Sequence, residues 1–119
     1  MKILIVDDNQ GVASVVQLML ELEGHEVRLA LNGPEGYLAY LQFRPGLVIT
    51  DIQMPGENGF ELMNHIREKD PTVKTIYMSG NLEQFYSLLE EEKSKYQINF
   101  LDKPFSREEL MGRVSQFLC

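Results

Sequence analysis

Short apolar runs alternate along the chain with longer stretches of mixed polarity. The runs cover residues 3–6, 27–30, 47–50, 75–78 and 98–101. Each is short and almost wholly apolar, as expected of strands buried on both faces of a parallel sheet. Arg28 interrupts the second run, which makes it the candidate for a sheet edge.

The stretches between the runs carry helical periodicity. Val12, Val15, Val16, Met19 and Leu22 fall on one helical face. Tyr37, Leu38 and Leu41 follow Pro34, a residue suited to a first helical turn. Phe60, Met63 and Ile66 form a third stripe and Leu82, Phe85, Tyr86 and Leu89 a fourth. Leu110, Val114 and Phe117 form the fifth. Asn58 with Glu61, and Ser106 with Glu109, have the spacing of capping boxes. Gly24, Arg-Pro-Gly at 44–46 and Asp-Pro at 70–71 punctuate the turns from helix to strand.

Strict alternation of strand and helix with short connections predicts an α/β fold, a doubly wound parallel sheet of five strands with five helices. A closed barrel needs about eight such units, so the sheet is open. The units share an architecture but no repeated motif.

Composition narrows the class. The 119 residues fit one domain spanning 1–119, with no output domain in this chain. With 44% hydrophobic and 24% charged residues, the chain is expected to be globular rather than disordered. A net charge of −7 argues against direct nucleic-acid binding and against an anionic membrane surface. No apolar stretch approaches the ~20 residues of a membrane helix. The single cysteine, Cys119, permits no internal disulfide, and Met1 leads directly into the first strand-like run with no signal peptide between. Both point to the cytoplasm.

The residues with chemistry to offer lie at the predicted strand ends. Asp7 and Asp8 follow the first strand, Asp51 the third, Ser79 and Gly80 the fourth, and Lys103 the fifth. Open α/β sheets bind ligands outside the carboxyl ends of their strands, where the strand order reverses. In the order 2-1-3-4-5, strands one and three are neighbours, so Asp7, Asp8 and Asp51 converge, with Ser79 and Lys103 at the flank. An aspartate here can simply cap the next helix, but only one side chain can be the cap at each helix start. Ser79 taken alone reads as a turn residue and Lys103 as a solvated lysine. Together the set has chemistry. Three carboxylates attract a hard divalent cation such as Mg²⁺, with Mn²⁺ as an alternative. A carboxylate beside the cation can attack a phosphoryl group, and a lysine and a hydroxyl can hold the phosphate oxygens.

Four segments, ILIVDDN, VITDIQMPGENGFEL, YMSG and FLDKPF, stand in order along the chain. On these the sequence resembles the receiver domain of two-component response regulators over its whole length. The resemblance implies the flavodoxin-like fold with strand order 2-1-3-4-5. It implies Asp51 as the phosphoacceptor, Asp8 as a direct Mg²⁺ ligand, Asp7 as a ligand acting mainly through water, and the backbone carbonyl of Gln53 as a further ligand. It implies Lys103 as the phosphate-contacting lysine, with a cis Lys103–Pro104 bond. Ser79 and Phe100 match the hydroxyl and aromatic positions of a switch. The implied activity is acceptance of a phosphoryl group from a histidine kinase or phosphotransfer protein. The implied output is a changed face on helix four, strand five and helix five, for an effector or a second copy. On this reading the chain is a signalling phosphoacceptor that catalyses only its own phosphorylation and dephosphorylation.

The same architecture serves three rival functions. A mononucleotide- or flavin-binding protein needs a phosphate-cradling loop after the first strand, where this chain has the acidic Asp-Asp-Asn-Gln-Gly. Phosphohydrolases resembling the haloacid dehalogenase group carry two aspartates spaced by one residue after that strand, whereas these are adjacent. A receiver-like interaction module that is never phosphorylated stays as the alternative, and the full acid and lysine set argues against it. Elsewhere, His25 reads as a turn residue and His65 as a solvent-facing one. Residues 90–95, EEEKSK, read as a solvated helix face. Leu88, off the apolar stripe of the fourth helix, and Tyr96 nearby read either as a partner surface beside the switch or as scattered surface apolarity.

Overall fold

The computed structural model describes residues 1–118. Five parallel strands, β1 (Lys2–Val6), β2 (Glu26–Ala30), β3 (Leu47–Asp51), β4 (Lys74–Ser79) and β5 (Ile98–Asp102), form one sheet in the order 2-1-3-4-5. Helices α1 (Gln10–Leu22), α2 (Gly33–Phe43), α3 (Gly59–Lys69), α4 (Tyr86–Lys93) and α5 (Arg107–Ser115) connect and follow them. The fold and the edge position of β2 are as the sequence predicts.

Apolar side chains alternate between the two faces of the sheet. Ile3, Ile5, Ile49, Ile76 and Met78 pack with Ala13, Val16 and Leu20 of α1 and Leu110 and Val114 of α5. Leu4, Val6, Val48 and Tyr77 pack with residues of α2, α3 and α4, including Tyr40, Leu62, Met63, Ile66 and Leu89. β3 is buried along its whole length, because it lies at the centre of the sheet and is covered on both sides.

Four stripe residues turn out differently. Val15 and Leu22 on α1, Leu38 on α2 and Tyr86 on α4 are exposed, while Ala13, Leu20, Ala39 and Tyr40 are buried in their stead. Each of these helices has one face toward the sheet, and the choice of face depends on how it is laid down rather than on apolarity alone. The fourth helix also starts later than its periodicity predicts. Leu82–Phe85 form a 3-10 turn with no side-chain cap, and the α-helix begins at Tyr86. Both predicted capping boxes, Asn58 with Glu61 and Ser106 with Glu109, are formed.

Candidate functional site at the carboxyl ends of the strands

Three strands deliver their last residues to one place. Asp7 comes directly after β1, while Asp51 and Ser79 are themselves the terminal residues of β3 and β4. Asp51 pairs in register with Met78, and Ser79 with Asp102, so these ends are level across the sheet. The backbone N–H of Lys103 donates to the Ser79 carbonyl at 2.9 Å, which carries the ladder one residue past β5 and fixes where the lysine leaves the sheet. The Lys103–Pro104 peptide bond is cis, as the resemblance implies.

Asp7, Asp8 and Asp51 each offer a carboxylate oxygen, and these oxygens lie within 4.8 Å of one another. Asp7 is fully buried, Asp51 nearly so, and Asp8 is exposed. Lys103 Nζ reaches Asp7 Oδ2 at 2.8 Å and Asp51 Oδ2 at 3.3 Å. Asp7 Oδ1 accepts the backbone N–H of Asn9 at 3.0 Å, so both of its oxygens are engaged. Neither Asp7 nor Asp8 caps α1. Asn9 does, its side chain accepting from the N–H of Val12 at 3.1 Å. Neither aspartate is therefore the cap itself, although Asp7 holds the cap residue through its backbone N–H.

Burial pushes the Asp51 carboxyl above its ordinary pKa; Lys103 pulls against this, and the charge of Asp7 adds to the upward push. For Lys103, burial disfavours the ammonium, but the hydrogen bond to Asp7 and the charges of Asp51 and Asp7 outweigh it and hold its pKa above the usual lysine value. Two carboxylates thus share one ammonium with a third carboxylate beside them, which leaves the site with excess negative charge and suited to a hard divalent cation.

The loop from β3 to α3 is held by close backbone contact. A Cβ at Gly59 would lie 2.4 Å from the carbonyl oxygen of Asp51, so only glycine lets α3 start this near the strand end. Gly59 N–H donates to the Ile52 carbonyl at 2.9 Å. Within the loop, Gly56 has φ +80°, a left-handed conformation natural to glycine. Gln53 is exposed. Ser79 Oγ does not reach toward Asp51 by any hydrogen bond; it accepts the N–H of Asn81 at 2.9 Å. Phe100, opposite Tyr77 in the β4–β5 register, is half-buried, with its ring 6.4 Å from that of Tyr86.

The sequence matches the response regulator receiver domain family over residues 3–115. The chain belongs to that family. It is 29% identical to sporulation initiation phosphotransferase F of Bacillus subtilis (strain 168) over 117 residues, covering 98% of this chain and 93% of that protein. It is 34% identical to the DNA-binding transcriptional regulator NtrC of Bradyrhizobium sp. (strain RP501 Parasponia), covering 98% of this chain but 24% of that protein. Other transcriptional regulators it matches are covered over 48% of their length, so the receiver spans half or less of most of these relatives. Among solved structures, chemotaxis protein CheY4 of Vibrio cholerae superimposes with a TM-score of 0.88 at 27% identity, over 98% of both chains. This receiver is a two-component signal-transduction module. No helix among the described residues is long and apolar enough to cross a membrane.

Two features of the receiver lay outside the sequence reading. Asn9 and Asn81 hold Asp7 and Ser79 through backbone N–H groups, and such bonds leave no mark in residue type. Between α3 and α4, Arg67 and Glu92 are buried against each other. Glu92 belongs to the charge run at 90–95, so that run is not wholly a solvated face; the other five residues are exposed and Glu92 is turned inward. His65 is exposed, as expected, and lies 3.2 Å from Glu57. Tyr96 is half-buried beneath the Arg67 guanidinium.

Proposed function

We propose that residues 1–118 act as one receiver unit in which Asp51 accepts a phosphoryl group from a phosphohistidine on a histidine kinase or phosphotransfer protein. A carboxylate oxygen of Asp51 attacks phosphorus, the bond from phosphorus to the imidazole nitrogen breaks, and the departing imidazole takes up a proton. Lys103, already 3.3 Å from Asp51, neutralises a phosphate oxygen. Asp8, Asp51 and the Gln53 carbonyl are the groups that would hold Mg²⁺ directly, with Asp7 behind them through water. When bound, Mg²⁺ supplies charge neutralisation at the phosphate oxygens. Mn²⁺ has the ligand preferences to replace it. The engagement of both Asp7 oxygens and the exposure of Asp8 support this division.

Phosphorylation gives the Ser79 hydroxyl a new partner, at the expense of its bond to Asn81 N–H. Phe100, half-buried beside Tyr86, then has a vacated space to fill, and the α4–β5–α5 face changes shape for an effector or a second copy. Water attack on the acyl phosphate resets the unit. The net charge of −7 supports a unit that does not itself contact DNA, and the single cysteine supports a reducing, cytoplasmic setting.

The observation that carries this reading is the convergence of three carboxylates and one lysine at the level ends of β1, β3 and β5. The test is incubation with a small phosphodonor and Mg²⁺. An acid-stable, alkali-labile phosphate is expected on the wild type and none on Asp51→Asn. Label retained by Asp51→Asn refutes the acceptor assignment. No label on the wild type favours an interaction module that works unphosphorylated.

A further inference from the structure

Behind the phosphorylation site, three polar side chains from three elements meet in the interior. Arg67 of α3 has a side chain only 5% exposed, and Glu92 of α4 one only 12% exposed. Tyr77 of β4 is fully buried. A single oxygen, Glu92 Oε1, accepts from Arg67 Nη1 at 3.0 Å and from the Tyr77 hydroxyl at 2.5 Å. The guanidinium also lies 3.9 Å over the ring of Tyr96, just beyond the end of α4. Burial and the charge of Glu92 both push the Tyr77 hydroxyl upward in pKa, so it stays a donor. Charge-assisted bonds of this kind are the strong ones, and removing one partner strands a buried charge.

The other end of the same segment is held differently. The 3-10 turn Leu82–Phe85 and the first turn of α4 have no side-chain cap. Tyr86 and Leu88 are about half exposed. The hydrogen bond that ties that end to the sheet is a single one, from Asn81 N–H to Ser79 Oγ, beside the apolar packing of Leu82 in the core and of Phe85 against Phe60. Tyr77 and Ser79 lie two residues apart on β4, so their side chains share one face of the sheet. One strand therefore holds the segment at two points, a weak one at its front and a strong one at its back.

We propose that Glu92, clamped by Arg67 and Tyr77, is the fixed pivot of α4, so that phosphorylation releases the front of the segment, residues 80–88, while residues 89–96 stay in place. The pivot rests on the reading of Asp51 as phosphoacceptor and Ser79 as the hydroxyl that changes partner. It makes the output surface smaller than the α4–β5–α5 face as a whole. The part that changes is Asn81 to Leu88 together with Phe100.

The test is hydrogen exchange by mass spectrometry, with and without beryllofluoride and Mg²⁺, on wild type, Glu92→Gln and Tyr77→Phe. Bound beryllofluoride is followed in parallel by ¹⁹F NMR. In the wild type, exchange is expected to change in peptides covering 80–88 and to stay unchanged across 89–96. In both variants the change is expected to spread into 89–96, with exchange there about tenfold faster or more. Tyr77→Phe deletes only the hydroxyl, so it keeps the test open where Glu92→Gln unfolds. A wild-type change that runs evenly through 80–96, or variants whose boundary does not move, overturns the pivot while a bound ¹⁹F signal keeps the phosphoacceptor reading. Absence of bound beryllofluoride removes both.

Discussion

Two groups of charged side chains are withdrawn from water in this receiver, and their charges are balanced differently. At the mouth of the sheet, Asp7 and Asp51 share Lys103, with Asp8 close enough to join them. Between α3 and α4, Arg67 faces Glu92 one to one, and the neutral Tyr77 completes the set. A balanced pair needs no further counter-charge and serves to fix geometry, even with Arg67 Nε and Nη2 buried without hydrogen-bond partners. An unbalanced one is held open toward a cation that completes it. The contrast gives a rule for reading buried charge: the leftover sign, rather than burial itself, distinguishes a binding site from a brace.

The strongest challenge to this contrast is to remove the cation from each group. Arg67→Met leaves Glu92 buried beside Tyr77 alone and is expected to lower stability by about 3–5 kcal/mol in urea denaturation, with or without Mg²⁺. Lys103→Met is expected to destabilise in chelator and to recover much of the loss in Mg²⁺, since the metal replaces the missing charge. Equal Mg²⁺ dependence in the two variants breaks the comparison.

Next in size is the division between the paired aspartates. Asp8→Asn is expected to weaken Mg²⁺ binding on the order of 10–100-fold by calorimetric titration, and Asp7→Asn distinctly less. Equal losses would show that both are direct ligands.

A smaller effect concerns Asp51 in metal-free buffer. Its carboxyl is raised by burial, with Lys103 opposing and Asp7 assisting, so the folded state binds that proton more tightly than the unfolded chain does. Ionisation of Asp51 therefore weakens the fold as pH rises through the raised pKa. Asp51→Asn is expected to have the higher denaturation midpoint at neutral pH. The difference should shrink as pH falls from the raised value toward the ordinary aspartate value of about 3.9 and be absent below it, where both states are protonated. A variant less stable than wild type at pH 7 reverses the sign and the account.

The smallest effect expected is on phosphate lifetime. Gln53 is exposed beside Asp51, the proposed acceptor, where it can influence how readily water attacks. Gln53→Ala is expected to change the lifetime several-fold in a decay assay, and equal lifetimes remove Gln53 from the dephosphorylation step.

Much of the mouth was legible because chemistry there is written in residue type at strand ends. Asp7, Asp8, Asp51 and Lys103 are polar residues that break apolar runs, and strand order alone brings them together. The brace was harder to see, though not invisible. Arg67 stands at the helical spacing of Phe60 and Met63, and Glu92 three residues after the buried Leu89, so each is a charge inside an apolar stripe. Reading residues 90–95 as one solvated block concealed it. The exposed Val15 and Leu22 went the other way, because apolar residues ring α1 on more than one face and sequence alone does not choose between faces.

The approach of Gly59 to the Asp51 carbonyl has a consequence for mutational scanning. Any side chain at position 59 collides with main chain rather than with a flexible neighbour, and the backbone it displaces carries Asp51, the proposed acceptor. A saturation library scored for signalling will therefore place this glycine in the same intolerant class as the aspartate it touches. The two are separable only by expression level, which should fall for substitutions at 59 and hold for Asp51→Asn.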